Sequence, residues 1–228
     1  MRKVPTIFVR DWGGELGHPG RHVVSVPNPE CAWVFAGQGL PTRKLDGTCC
    51  LVDDGDLFRR HEVRFDKKKN RLREVPEGFV ELERDEETGA RVGWVAVGNG
   101  PEDRWHREGW EAAQVGVIAD GTYELVGPQI NGNPEGYAAN ILIAHADCGD
   151  MLDQDDLPPR DYDGLCAWFT AHDVEGIVWH HPDGRMGKVK GRDFGVDRLE
   201  PVVIMYASKE DFDKIKLIQL PGSGDGRQ

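Results

Sequence analysis

The sequence predicts an α+β chain built on antiparallel sheets, and three observations carry that reading. Short apolar runs with β character recur along all 228 residues, punctuated by 29 glycines and 14 prolines. Helical periodicity is confined to a few segments. The turn dipeptides Asp54-Gly55 and Asp183-Gly184 each join two β-like runs, the signature of hairpins and not of parallel crossovers.

The expected strands are TIFVR (6–10), HVVSV (22–26), TCCLVD (48–53), LFRRHEVRF (57–65), RVGWVAV (91–97), TYELVG (122–127), EGIVWHH (175–181), GKVKG (187–191) and PVVIMY (201–206). Helices are expected over 103–115, 162–172 and 208–218. In the second, Leu165, Trp168 and Phe169 share a face. In the third, Ser208 and Asp211 have capping-box spacing. The acidic stretch 145–160 ends in Leu-Pro-Pro-Arg and reads as a loop. Residues 1–220 read as one domain, and the glycine-rich 221–228 as a disordered tail.

Composition narrows the function classes. No apolar run approaches the ~18 residues of a membrane span, and the N-terminus lacks a signal-peptide pattern. The expected compartment is cytoplasmic. Five cysteines without a Cys-x-x-Cys pair suit reduced thiols and not a disulfide framework or a zinc module. The net charge of −12 disfavours a nucleic-acid partner for the chain as a whole. Residues 58–73 reverse that locally. Eight Lys and Arg residues stand there against Glu62 and Asp66, a strip of +6 that can hold a phosphate backbone or simply protect a strand edge. No Walker-type loop, dinucleotide fingerprint or Gly-x-Ser-x-Gly elbow is present in the sequence.

Two stretches concentrate chemistry. With a two-residue loop on Asp183-Gly184, Trp179 is expected opposite Lys188, Ile177 opposite Lys190 and Glu175 opposite Arg192. That register puts Glu175, Lys188 and Lys190 on one face together with Ile177 and Trp179, as in a cleft wall. In the second stretch, Lys44-Leu45-Asp46-Gly47 runs into TCCLVD, which turns at Asp54-Gly55. Cys49 is then expected opposite Arg60 and Thr48 opposite His61. Glu124 sits mid-strand in Tyr-Glu-Leu-Val-Gly.

Lys44-x-Asp46-Gly47, Glu124, Glu175 before Gly176, and Lys188-x-Lys190 fall in an order that resembles the covalent nucleotidyltransferases, the polynucleotide ligases and mRNA capping enzymes. The stretches WVFAGQGLPTRKLDGTCC, GTYELVGPQINGNPE and EGIVWHHPDGRMGKVKGRDFG look like the ATP-dependent 5′–3′ RNA ligase family of vertebrates, phages and bacteria, over roughly residues 30–195. The resemblance implies a nucleotidyltransferase (ATP-grasp-like) ligase fold. With about thirty residues after position 195, no C-terminal OB domain is expected.

It further implies ATP and Mg²⁺ (or Mn²⁺) as cofactors. The implied partner is RNA with 5′-phosphate and 3′-hydroxyl ends. Lys44 would be the nucleophile, with Lys188 and Lys190 on the phosphates. Glu124 would meet the ribose. Glu175 and Asp46 would serve the metal, and Arg43, Gly47 and Arg60 would contribute to the nucleotide site. Arg64, Lys67, Lys68 and Lys69 would contact RNA. A free lysine is only ~0.1% neutral near neutral pH, a handicap of about 4 kcal/mol for attack. Lys188, Lys190 and a bound metal are expected to lower the pKa of Lys44. The competing readings are a GTP- or DNA-directed enzyme of the same chemistry and a nucleotide-binding module without turnover.

Overall fold

The structure is a computed structural model describing residues 4–17, 19–66, 68, 70–86, 88–114, 118–147, 152–153 and 155–198. The strand expected at 201–206, the helix at 208–218, the tail, Lys67 and Lys69 lie outside the described residues. Every ladder between named strands is antiparallel, as the hairpin turns require.

A two-stranded ribbon pairs β1 (Phe8–Arg10) with β2 (Val23–Pro27). After a short helix, α1 (Ala32–Phe35), comes β3 (Leu40–Lys44), an element that sequence patterning missed. The chain then enters a six-stranded sheet through β4 (Thr48–Asp53) and β5 (Asp56–Val63). Asp54 and Gly55 both take positive φ, as a two-residue hairpin of this type demands. Cys50 pairs with Arg59 and Leu51 with Phe58, the predicted register.

A small outlying hairpin follows, β6 (Phe65–Asp66) with β7 (Arg71–Leu72). The six-stranded sheet is completed by β8 (Val80–Arg84), β9 (Arg91–Ala96), β10 (Gly121–Val126) and β11 (Ile141–Ala144). Its order is β11-β10-β4-β5-β9-β8. Strands β8 and β11 were also missed. β8 is mostly charged and exposed along an edge, so it offers no alternation to read.

The last sheet has three strands, in the order β13-β12-β3, with β12 (Gly176–His180) and β13 (Met186–Lys190). Here the register departs from expectation by one residue. Gly176 pairs with Lys190, Val178 with Lys188 and His180 with Met186. The cause is the loop. His181 N–H bonds to the Arg185 carbonyl, so Pro182, Asp183 and Gly184 form a three-residue turn closed by Gly184 at φ 91°. One extra loop residue swaps faces, and Ile177 and Trp179 go to the buried side, opposite Lys188 and Lys190.

Two helices cover the outer faces. α3 (Tyr162–Ala171), capped by the Asp161 carboxylate on Gly164 N–H, buries Leu165, Trp168 and Phe169. These pack in one cluster with Ile177, Trp179, Val189, Trp33 and Phe8 behind the three-stranded sheet. α2 (Arg104–Ala113) packs Trp105 and Trp110 against Cys50, Val52, Leu57 and Leu125 of the large sheet. Trp33, Trp94, Trp168 and Trp179 are all buried. Among the described residues, no helix is long and apolar enough to cross a membrane.

Candidate active site

The uncovered faces of the two sheets enclose a cleft of about 1800 Å³. Period-two alternation decides what lines it. From the small sheet come Thr42, Lys44, Val178, His180, Lys188 and Lys190. From the large sheet come Cys49, Arg60, Glu62, Thr122 and Glu124. The segment Lys44-Leu45-Asp46-Gly47 is the crossover between sheets, because β3 belongs to one and β4 to the other. Leu45 anchors this corner by packing with Val126. Gly47 is required by close approach: a Cβ there would collide with the Leu125 carbonyl and the Glu124 side chain. The predicted nucleophile thus stands at a rigid corner, facing the cleft.

Glu175 joins the lysines by a different route from the predicted one. It precedes β12, and its carboxylate bridges Lys44 and Lys190, one oxygen to each ammonium. Burial works against the charge of Glu175, but the two lysines hold its pKa below the usual carboxylate value. Lys44 does not follow the expected direction. Burial pushes its pKa down, and the charges of Glu175, Glu124 and Asp46 outweigh that and raise it. Lys188 does shift downward, to about 8, through burial first and then the charges of Lys190 and Lys44.

The remaining predicted residues divide clearly. Arg60 lines the cleft, whereas its neighbour Arg59 points to the opposite face and pairs with Asp103 at 2.6 Å. Glu124 is only 8% exposed and hydrogen-bonds His145 Nε2 at 2.9 Å. His145 Nδ1 is 2.9 Å from Thr122 Oγ1. Asp46 accepts from Asn131 Nδ2 at 3.0 Å, and its side chain is not brought to Glu175 by any of these bonds. Arg43, on the face of β3 opposite Lys44, is committed to Glu135 at 2.6 Å.

The basic strip is not one surface. Its alternating residues go to both faces of β5, and among its described Lys and Arg residues Arg60 and Arg64 reach the cleft lining. Arg64 pairs with Glu62 at 2.5 Å, and Lys68 is exposed on the β6–β7 turn.

Sequence reasoning missed Glu135, Arg198 and His145. Glu135, in Asn-Pro-Glu-Gly, accepts from Arg43, from Arg198 at 2.7 Å and from the Asp46 backbone N–H at 3.0 Å. A glutamate in a turn-rich loop reads as a surface charge, and nothing local marks it as buried. His145 follows an apolar run and could have been noticed as the first polar residue at the end of a strand.

The fold and the cleft define an α+β protein whose two antiparallel sheets gather a lysine-rich site at their junction. A family model described as RNA ligase 1 matches residues 110–210. RNA ligase 1 from Danio rerio is 25% identical over 271 residues, covering 86% of this chain and 81% of the relative. RNA ligase 1 from Pongo abelii is 26% identical over 268 residues, with the same coverage. The chain is thus similar to proteins named RNA ligase 1 over most of its length.

Proposed function

We propose that this chain is an ATP-dependent RNA ligase, sealing 5′-phosphate and 3′-hydroxyl ends through a lysyl-AMP and an adenylylated RNA end. The observation that carries the reading is Lys44 at the sheet corner, facing a cleft shared with Lys188, Lys190, Arg60 and Glu124. The relatives' name and the order of the four sequence elements support it.

In this reading Lys44 Nζ attacks the α-phosphorus of ATP. A nitrogen–phosphorus bond forms, the bond to the bridging oxygen breaks, and pyrophosphate leaves. The AMP moves to an RNA 5′-phosphate, and a 3′-hydroxyl then displaces it. Lys188 and Lys190 balance phosphate charge as it shifts to the leaving group. Glu124 accepts from the ribose hydroxyls.

The resting clamp gives Glu175 a second part. While its carboxylate holds Lys44, the amine keeps its proton. Any group that draws Glu175 away removes the largest charge that raises the pKa of Lys44, and burial then acts toward the neutral nucleophile. Glu175 fits a hard divalent ion, since its two oxygens already bind two positive charges. When bound, Mg²⁺ would supply charge neutralisation on the phosphates. Asp46, held by Asn131, is the weaker of the two expected metal ligands. Arg64 and Lys68 at the rim are the described groups suited to an RNA backbone.

The test is incubation with α-phosphate-labelled ATP and Mg²⁺, then a denaturing gel and peptide mapping. A labelled band mapped to Lys44 is expected. Label on another residue, or no label with ATP, GTP or NAD⁺, would sink the reading and favour a binding module.

A further inference from the structure

One wall of the cleft holds two side chains, Cys49 and His145, that the lysine chemistry does not use, beside Glu124. Cys49, Glu124 and His145 come from three adjacent strands, β4 and β10 and the end of β11. Cys49 lies directly opposite Glu124 in the β4–β10 ladder, so both side chains share the cleft face. Continuing the β10–β11 register past Tyr123 and Ala144 puts His145 opposite Thr122, on the same face. The Cys49 Sγ, a Glu124 carboxylate oxygen and a His145 ring nitrogen all lie within 4.8 Å of one another. Among the described residues this is the cluster of three such groups close enough to share one ion.

The donor set is selective. Mg²⁺ and Ca²⁺ take oxygen ligands, whereas a thiolate, an imidazole and a carboxylate together suit zinc. Zinc–ligand bonds of about 2.0–2.3 Å bring tetrahedral ligands to roughly 3.5 Å apart, so closure needs side-chain rotation of about an ångström. The second partner of the histidine is in place. If Nδ1–H donates to Thr122 Oγ1, Nε2 offers its lone pair to a metal in place of its present hydrogen bond with Glu124. The fourth position faces the cleft, as in zinc sites that keep one open coordination place.

We propose that Cys49, Glu124 and His145 form a zinc-binding site whose occupancy excludes nucleotide from the cleft. The Cys49 thiol gives its proton to solvent as the zinc–sulfur bond forms. Glu124 leaves its hydrogen bond with His145 for the metal. The exclusion rests on the reading that Glu124 meets the ribose; the metal site itself does not.

Cobalt(II) is the probe for the site, used on the full chain. One equivalent should produce thiolate-to-cobalt charge-transfer absorption and visible ligand-field bands, abolished by zinc. Cys49→Ser and His145→Asn should each lose these bands. Absence of the bands in the wild type, or their persistence in both variants, would overturn the site.

In a second arm, micromolar zinc should suppress lysine labelling by ATP and Mg²⁺ at least tenfold, with rising ATP restoring it. Cys49→Ser should label without that sensitivity. Cobalt bands with zinc-insensitive labelling would overturn the exclusion alone. A protein that takes no label at all would fail as a ligase, and the cobalt result would still decide the metal site.

Discussion

Adjacent residues of β3, Arg43 and Lys44, point to opposite faces and meet the same kind of partner. Each pairs with a buried glutamate that also holds a second cation. Glu175 binds Lys44 and Lys190 on the cleft side. Glu135, with a side chain 2% exposed, binds Arg43 and Arg198 on the other side, and takes the Asp46 N–H as well.

The difference lies in the cations. A guanidinium stays charged at any accessible pH and binds in a fixed fork, so the Glu135 cluster is a permanent tie between the crossover and the β10–β11 loop. An ammonium is compact and can lose its proton when its carboxylate is withdrawn. Two near-identical triads therefore separate into a structural tie and a reactive clamp by the choice of arginine or lysine.

The sharpest way to break this comparison is to exchange the cation itself. Lys44→Arg keeps the ion pair with Glu175 but removes the proposed nucleophile. Labelling by α-phosphate-labelled ATP should fall by roughly 1000-fold or more, with little change in melting temperature. Substantial labelling of this variant would end the assignment of Lys44.

Glu135→Ala should be the most damaging change to stability. It leaves two half-buried guanidinium groups that cannot neutralise, a cost of about 1–3 kcal/mol. For a chain of this length that is a fall of roughly 2–12 °C in melting temperature. A loss below about 1 kcal/mol would mean that the arginine triad is not a tie.

Glu175→Gln distinguishes the two clusters by pH. The folded pKa of Glu175 is lowered from 4.5, so its stabilisation is present above that value and lost as pH falls through the folded pKa. The raised pKa of Lys44 adds stability that is lost as pH rises through its folded value. Without the carboxylate, the lysines can shed protons at alkaline pH. The melting gap between wild type and variant should be widest near neutrality and narrow as pH falls below 4.5 and as it rises above 10.5. The Glu135→Ala gap should show no alkaline narrowing.

The smallest effect is expected at Lys188, whose folded pKa of about 8 lies below its ordinary 10.5. A lysine with a depressed folded pKa destabilises the fold below that pKa, and the penalty disappears as pH rises to the unfolded value. Lys188→Met should therefore raise the melting temperature at pH 7 by roughly 2–4 °C while suppressing labelling. The gain should vanish near pH 10.5.

Much of the cleft was legible because its parts are local. The Asp54-Gly55 turn is two residues long, so the β4–β5 register followed from counting, and with it the face on which Arg60 lies. The Asp183-Gly184 turn carries an extra residue that composition does not reveal, so the β12–β13 faces came out inverted. Glu175 still reached the lysines, because it sits before the strand, where alternation no longer binds it. The pKa of Lys44 was misjudged for a related reason: a sum over the neighbouring cations omitted the carboxylate that the fold presses against it.

The sequence by itself determined the strand-rich character, the hairpin at Asp54-Gly55 and which residues carry positive charge. These are properties of short segments, written in alternation, turn chemistry and residue type. Only the tertiary structure decided that β3 and β4 belong to different sheets, that Glu135 is buried, and that Cys49, Glu124 and His145 face one another. Each of those depends on pairings between distant segments, and a strand carries no local record of its partner.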